Sequence, residues 1–259
     1  MVTFVGAGPG AEDLITVRGQ QYLKEADIIV YAGSLVNPKL LENRKEGCKV
    51  YNSAEMTLEE VLKVLIEGDR AGKAVVRLHT GDPCLYGAIR EQMDALEQEG
   101  ITYEICPGVS SFSGAASALQ AEYTLPGVSQ SVVITRMAGR TPVPERESIR
   151  AFAAHHATMV IFLSAGMTGE VQQELLEGGY EPDTPAAIVY KATWPEEQVF
   201  RCTVETLADT AAQHGIRKTA LIVVGNILEG EYHRSELYNP NFSTEYREAK
   251  SGKKEQMKH

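Results

Sequence analysis

The chain has 259 residues, of which 43% are hydrophobic and 23% are charged, and its formal net charge is −10 at pH 7. This negative charge disfavours a protein that binds nucleic acid, because binding to phosphates needs a basic surface. No apolar stretch approaches the roughly 20 residues that cross a bilayer, so we expect no membrane partner. The length suits one large domain or two domains of ordinary size.

The amino terminus has the pattern of a β-strand and not of a signal peptide, so we expect a cytoplasmic protein. The four cysteines lie far apart and show no C-x-x-C spacing. This spacing disfavours a disulfide framework or a structural metal site. Three of the cysteines are expected to be small apolar fillers, whereas Cys84 lies inside a turn and is a candidate to line a pocket.

The first half of the chain alternates predicted strands and helices. Strands are predicted at residues 3–5, 27–31, 49–52, 74–78 and 102–106, and helices at 16–25, 58–67, 89–99 and 111–120. Thr57 and Glu60 have the spacing of a capping box, which marks the start of the second helix. Alternation of this kind predicts right-handed crossovers and a mostly parallel sheet.

Three turns stand directly after predicted strands of this half. The first turn is GAGPG at residues 6–10, the second is TGDPCLYG at 80–87, and the third is PGVSS at 107–111. An open α/β sheet binds its ligand at the carboxyl ends of its strands. Glycine lets the backbone approach a ligand closely. We therefore predict that the three turns share one ligand.

The first turn invites comparison with the dinucleotide fingerprint G-x-G-x-x-G. Its third glycine comes one residue early, and no acidic residue ends the second strand at Tyr31. A nicotinamide-dependent oxidoreductase with a degenerate fingerprint remains an alternative. His79 is the histidine beside a turn, and we expect it to face a neighbouring helix and not to act as a base. Serine-hydrolase, P-loop and zincin motifs are missing, which suits a reaction that depends on positioning.

Strands become more frequent in the second half. They are predicted at residues 131–135, 159–163, 186–190, 198–203 and 220–224, with helices at 147–155, 168–178 and 204–213. The link between the third and fourth of these strands is too short for a helical crossover, so that pair should be antiparallel. We predict two α/β domains, at 1–122 and 128–240, followed by a polar tail at 241–259. The first sheet is mostly parallel, the second is mixed, and a ligand cleft lies between the domains.

Taken together, the three turns resemble the signatures of the tetrapyrrole methylase family, which methylates corrin and sirohaem precursors. The resemblance covers about residues 2 to 240. Within the family, YAGSLV at 31–36, EMTL at 55–58 and GRTP at 139–142 resemble the branch that methylates C11 of precorrin-4 or cobalt-precorrin-4 in cobalamin biosynthesis. These motifs do not separate the metal-free acceptor from the cobalt-containing one.

The resemblance implies a homodimer that binds S-adenosyl-L-methionine between its two α/β domains and releases S-adenosyl-L-homocysteine. It implies a tetrapyrrole as methyl acceptor and assigns no metal ligand and no catalytic acid or base. Carried over motif by motif, the implied cofactor contacts are Pro9, Gly81, Asp82, Leu85, Ser110, Ser111, Leu163, Ala192 and Ala220.

A tetrapyrrole precursor carries many carboxylates, so an acidic protein must bind it through local basic residues. Residues 136–150 contain four arginines and two glutamates. We expect Arg136 or Arg140 to pair with substrate carboxylates, because arginine binds them in a bidentate manner. Three alternatives stay open beside C11: methylation at another ring position such as C17 or C20, methylation of a protein side chain as in diphthine synthesis, and a non-catalytic binding module for a tetrapyrrole or an adenosyl metabolite.

Overall fold

The computed structural model describes residues 1–249, and the last ten residues of the predicted tail lie outside the described residues. The first sheet contains five strands, in the order β3-β2-β4-β1-β5. All neighbouring pairs in it are parallel, as the strand–helix alternation predicts. The strands are β1 (Val2–Gly6), β2 (Ile28–Tyr31), β3 (Lys49–Asn52), β4 (Val75–His79) and β5 (Tyr103–Cys106).

An α-helix follows β1, β3, β4 and β5, whereas short 3₁₀ turns join β2 to β3. Residues that alternate along each strand bury opposite faces of the sheet. Phe4 and Val75 pack in one apolar cluster, whereas Val5 and Val76 pack in another. The predicted capping box is confirmed, because Glu60 N donates to Thr57 Oγ1 and Thr57 N donates to Glu60 Oε2. The helices are α1 (Val17–Glu25), α2 (Leu58–Arg70), α3 (Arg90–Gln98) and α4 (Ser111–Leu119).

The second sheet also has five strands, in the order β6-β7-β10-β8-β9. β6 and β7 are parallel and the other pairs are antiparallel, which confirms the predicted mixed sheet. In particular, β8 and β9 pair Tyr190 with Gln198, so their short link makes the reversal without a helix. The strands are β6 (Val132–Arg136), β7 (Thr158–Phe162), β8 (Pro185–Tyr190), β9 (Gln198–Thr203) and β10 (Ala220–Val224).

Two helices of this half are shorter than predicted, for local reasons. α5 (Ile149–Ala153) begins after Ser148, whose extended backbone ends a preceding 3₁₀ turn and whose hydroxyl accepts from Ala151 N. α7 (Leu207–Gln213) begins late because Ala208 N, which would donate to Val204 O in a longer helix, donates to Gln172 Oε1 instead. The remaining helix, α6 (Thr168–Glu177), lies close to its predicted place.

Helix α4 links the two halves of the molecule. Its residues Ala115 and Leu119 are buried in a cluster with apolar residues of β8 and β10. A Cβ atom at Gly114 would lie 2.9 Å from Pro9 Cβ and 3.2 Å from Thr193 Cγ2, so the helix approaches both halves closely. The domain limits given above stay a prediction. Within residues 1–249, no helix combines the length and the apolar character needed to cross a membrane.

Candidate functional site

The first and second turns are paired to each other at the carboxyl edge of the first sheet. Gly81 N donates to Gly8 O over 2.8 Å, and Gly8 N donates to Gly81 O over 3.3 Å. This contact arises because β1 and β4 are neighbours and end at the same edge. The φ angle of +59° at Gly81 favours glycine.

The third turn is attached to the second through Asp82. One carboxylate oxygen, Oδ2, accepts from Gly108 N over 2.8 Å, and the other accepts from Cys84 N over 2.8 Å. A Cβ atom at Gly108 would lie 2.2 Å from Gly81 O and 2.7 Å from Gly6 Cα. The three turns therefore meet as predicted, and their backbones are in direct contact.

The second domain brings three further loops to the site. β7 and β8 end at the edge where β10 begins, because Ala220 pairs with Tyr190 and β10 runs antiparallel to both neighbours. Leu163 and Ala192 come directly after β7 and β8, and Ala220 begins β10. Residues that are far apart in the sequence therefore lie along one edge.

A loop of the second domain is attached to the first turn. The indole nitrogen Nε1 of Trp194 donates to Pro9 O over 3.1 Å, and Ala11 N donates to Thr193 Oγ1 over 3.0 Å. The indole also covers Gly10, where a Cβ atom would lie 2.1 Å from the ring carbon Cδ1. These contacts hold the two halves together beside the turns.

A cavity of about 520 Å³ lies between these turns and loops. This volume is typical of a small-molecule site. All nine predicted cofactor positions line it. The lining residues beyond the nine predicted positions are Ser34, Leu35, Thr80, Tyr86, Phe162, Ala165, Gly166, Val189, Lys191, Trp194, Arg217, Lys218, Thr219 and Leu221.

Backbone strain marks the same cavity independently. Eight non-glycine residues among those described have positive φ angles, and six of these belong to the loops around the cavity. Such conformations cost on the order of 1–3 kcal/mol each, and they concentrate at ligand sites. The six residues are Tyr86, Ala88, Leu163, Lys191, Thr193 and Thr219. The residue types at these positions do not indicate a positive φ angle, so the sequence analysis did not predict the strain.

Ser110 precedes α4, a position where serine commonly caps a helix. Within residues 1–249, however, its hydroxyl makes no capping hydrogen bond. Ser110 is buried and lines the cavity together with Ser111. The structure therefore leaves the Ser110 hydroxyl available for a ligand.

The cavity lining, drawn from the described part of the chain, does not include Arg136, Arg140, Cys84 or His79. The Arg136 guanidinium donates to the carbonyl oxygens of residues 137, 141 and 142, and Arg140 is exposed. Their pairing with a substrate stays a prediction that the cavity does not support. Cys84 is exposed and stands outside this lining, so the expectation that it lines the pocket is wrong.

His79 is buried beside a positive charge. Burial, and then the charge of Arg77, lower the pKa of His79 to about 3. The imidazole is therefore neutral near pH 7. A buried, neutral side chain outside the cavity lining fits the expectation that His79 is not a catalytic base.

The fold and the cavity define a two-domain α/β protein with a cavity of small-molecule size between its domains. The sequence profile described as Tetrapyrrole (Corrin/Porphyrin) Methylases matches residues 1–208. The chain is 53% identical, over 96% of its length and 96% of the relative's, to a cobalt-precorrin-4 C(11)-methyltransferase of Methanocaldococcus jannaschii. The chain belongs to the tetrapyrrole methylase family, which confirms the resemblance seen in its motifs.

Solved structures show the same similarity. A cobalamin biosynthetic enzyme, cobalt precorrin-4 methyltransferase, superposes with a TM-score of 0.86 at 47% identity, over 88% of this chain and 96% of that one. A uroporphyrin-III C-methyltransferase from Thermus thermophilus, complexed with S-adenosylhomocysteine, has a TM-score of 0.75 at 29% identity, over 88% of this chain and 98% of that one. The predicted two-domain α/β fold is thus confirmed.

Proposed function

We propose that this chain is an S-adenosylmethionine-dependent methyltransferase that methylates C11 of precorrin-4 or cobalt-precorrin-4 in cobalamin biosynthesis. One observation carries the proposal: the three signature turns and three loops of the second domain surround a single cavity. The printed functions of the relatives support the same reaction. The family assignment leaves the nicotinamide alternative without support.

The residues present fit the cofactor. Gly81 lines the cavity and has no side chain, so a ligand can approach its backbone closely. The nine predicted positions would hold the cofactor, which supplies an electrophilic methyl group on a sulfonium sulfur. Apolar lining residues such as Leu85 and Val189 exclude water from this space.

The contribution of the chain to the reaction is positioning. Hydrogen bonds between the turns, and the Trp194 contact with the first turn, fix the walls of the site. Holding donor and acceptor aligned is worth on the order of 7–11 kcal/mol of the barrier. The acceptor carbon is nucleophilic because ring nitrogens supply electron density to it. No side chain is required to generate the nucleophile, which agrees with the neutral, buried His79.

Product analysis tests this proposal. The protein is incubated with methyl-¹³C-labelled S-adenosylmethionine and with either precorrin-4 or cobalt-precorrin-4, and the product is examined by ¹³C NMR. We expect label at C11, with the cobalt form as the better acceptor, in line with the names of the relatives. Label at C17 or C20, or binding without turnover, would contradict the proposal.

We also propose that the protein is a cytoplasmic homodimer. The family resemblance supports the dimer, and the metabolic origin of cofactor and acceptor supports the cytoplasm. Analytical ultracentrifugation at micromolar concentration should give twice the 28.3 kDa chain mass. A single species at the chain mass would contradict the dimer.

Replacing Trp194 with alanine should weaken binding of S-adenosylhomocysteine about tenfold and lower the free energy of unfolding by about 2–3 kcal/mol. The reason is that the indole covers Gly10 and donates to Pro9 O. Titration calorimetry and urea denaturation measure the two effects. Trp194→Phe keeps an aromatic side chain and loses the N–H donor, so it should lower the free energy of unfolding by only about 1 kcal/mol. Equal affinity in the wild type and Trp194→Ala would show that this contact does not support the site.

A further inference from the structure

We infer that Lys191, Arg217 and Lys218 form a binding patch for the carboxylates of the tetrapyrrole acceptor, on the second-domain side of the cavity. These three residues are called the cationic rim. The inference rests on the proposed function and names the residues that bind its acceptor. It places substrate recognition away from Arg136 and Arg140.

The charge of the lining is opposite to that of the chain. Within residues 1–249, the lining contains the three cations of the rim and one carboxylate, that of Asp82, in a chain of net charge −10. Both oxygens of Asp82 already accept from backbone amides of the turns. The cavity therefore presents a local excess of positive charge, which favours an anionic ligand.

Two cations of the rim, Arg217 and Lys218, lack an ion-pair partner in the described chain. No carboxylate of residues 1–249 lies within ion-pairing distance of Arg217 or Lys218. Lys191 Nζ lies 3.6 Å from the carboxylate of Glu196 and 5.3 Å from the centre of the Trp194 ring. Arg217 and Lys218 are thus free to bind the carboxylates of a ligand without breaking an existing ion pair.

The backbone that carries these side chains is held in place from both ends. Ile216 is buried and its amide donates to Ala211 O over 2.9 Å. Thr219 has a φ angle of +57°, and its carbonyl accepts from Lys191 N over 2.9 Å. This hydrogen bond joins the loop after β8 to the segment before β10, so the three cations come from adjacent, fixed positions.

Burial separates the rim from the turns. Arg217 and Lys218 are exposed, whereas Gly81 and Ser110 on the first-domain side are buried. A tetrapyrrole carries its carboxylates at the periphery of a large ring, so exposed cations at the edge of the cavity suit it. Arginine adds a planar fork that matches a carboxylate. The amino-acid carboxylate of the cofactor is the competing ligand for the same charges, and the experiment separates the two.

The test uses Arg217→Gln, Lys218→Gln and the double variant in the full chain. We expect each single variant to raise the KM for the acceptor severalfold and the double variant to raise it at least about tenfold. The Kd for S-adenosylhomocysteine should stay within about twofold. Arg217→Lys and Lys218→Arg keep the charge and should recover most of the loss. Arg146→Gln, which removes an exposed cation outside the lining, is the matched control.

A second measurement tests carboxylate binding directly and does not depend on which ring carbon the protein methylates. Binding of uroporphyrin III, an octacarboxylate, and of its methyl ester is followed by fluorescence quenching with the wild type and the double variant. We expect the acid to bind the wild type at least about tenfold more tightly than the double variant, and the ester to bind both equally. If the wild type methylates a carbon other than C11, the proposed function is wrong. This binding measurement still tests whether the cationic rim binds carboxylates. Equal binding of the acid by both proteins, or a loss confined to S-adenosylhomocysteine, would overturn the inference.

Discussion

Replacing Gly108 with alanine should weaken S-adenosylhomocysteine binding at least about a hundredfold and lower the free energy of unfolding by about 3 kcal/mol. The added Cβ atom would lie 2.2 Å from Gly81 O and 2.7 Å from Gly6 Cα. Both neighbours are backbone atoms, so neither can rotate away. The third turn would have to move away from the other two, and the cavity wall would open.

Calorimetric titration and urea denaturation of the Gly108→Ala variant measure these effects. The control is Gly169→Ala in α6, where a Cβ atom meets nothing within 4 Å. Alanine there should leave binding unchanged and change the free energy of unfolding by less than about 1 kcal/mol, because Gly169 lies in the first turn of the helix. An affinity of Gly108→Ala within twofold of the wild type would show that the contact between the turns is not required for the site.

Replacing Asp82 with alanine should have the next largest effect, a loss of about 2–3 kcal/mol of unfolding free energy with weaker cofactor binding. The carboxylate accepts from Gly108 N and from Cys84 N, both over 2.8 Å. Hydrogen bonds to a charged group contribute about 1.5–3 kcal/mol each, and the lower end applies because Asp82 is only half-buried. Without the carboxylate, the second and third turns lose their side-chain connection.

Asp82→Asn separates hydrogen bonding from charge. Its amide keeps one acceptor oxygen, so it should retain part of the stability that Asp82→Ala loses. Asp94→Ala removes an acidic residue that pairs with Arg90 on an exposed helix face, and it should change stability by less than about 1 kcal/mol. Equal urea midpoints for Asp82→Ala and Asp94→Ala would rule out the proposed connection between the turns.

Local sequence patterns predict most of the fold, because strands and helices depend on apolar periodicity and on the turn residues between them. β9 and β10 begin and end at their predicted residues, and the capping box places the start of α2. The predicted starts of α5 and α7 are too early. There the hydroxyl of Ser148 and the hydrogen bond from Ala208 N to Gln172 override local helix propensity.

The sequence by itself determined the family and the sheet types, because a glycine-rich turn after a strand and the strand–helix alternation are local features. The nine cofactor contacts follow only from the family resemblance and stay a prediction. Only the tertiary structure decided which cations line the cavity. Arg217 and Lys218 stand in no motif, and they reach the cavity because β10 runs antiparallel to β8 and the carbonyl before β10 binds Lys191 N. Pairing between strands that are distant in the sequence brings such residues together, and no local sequence pattern predicts that pairing.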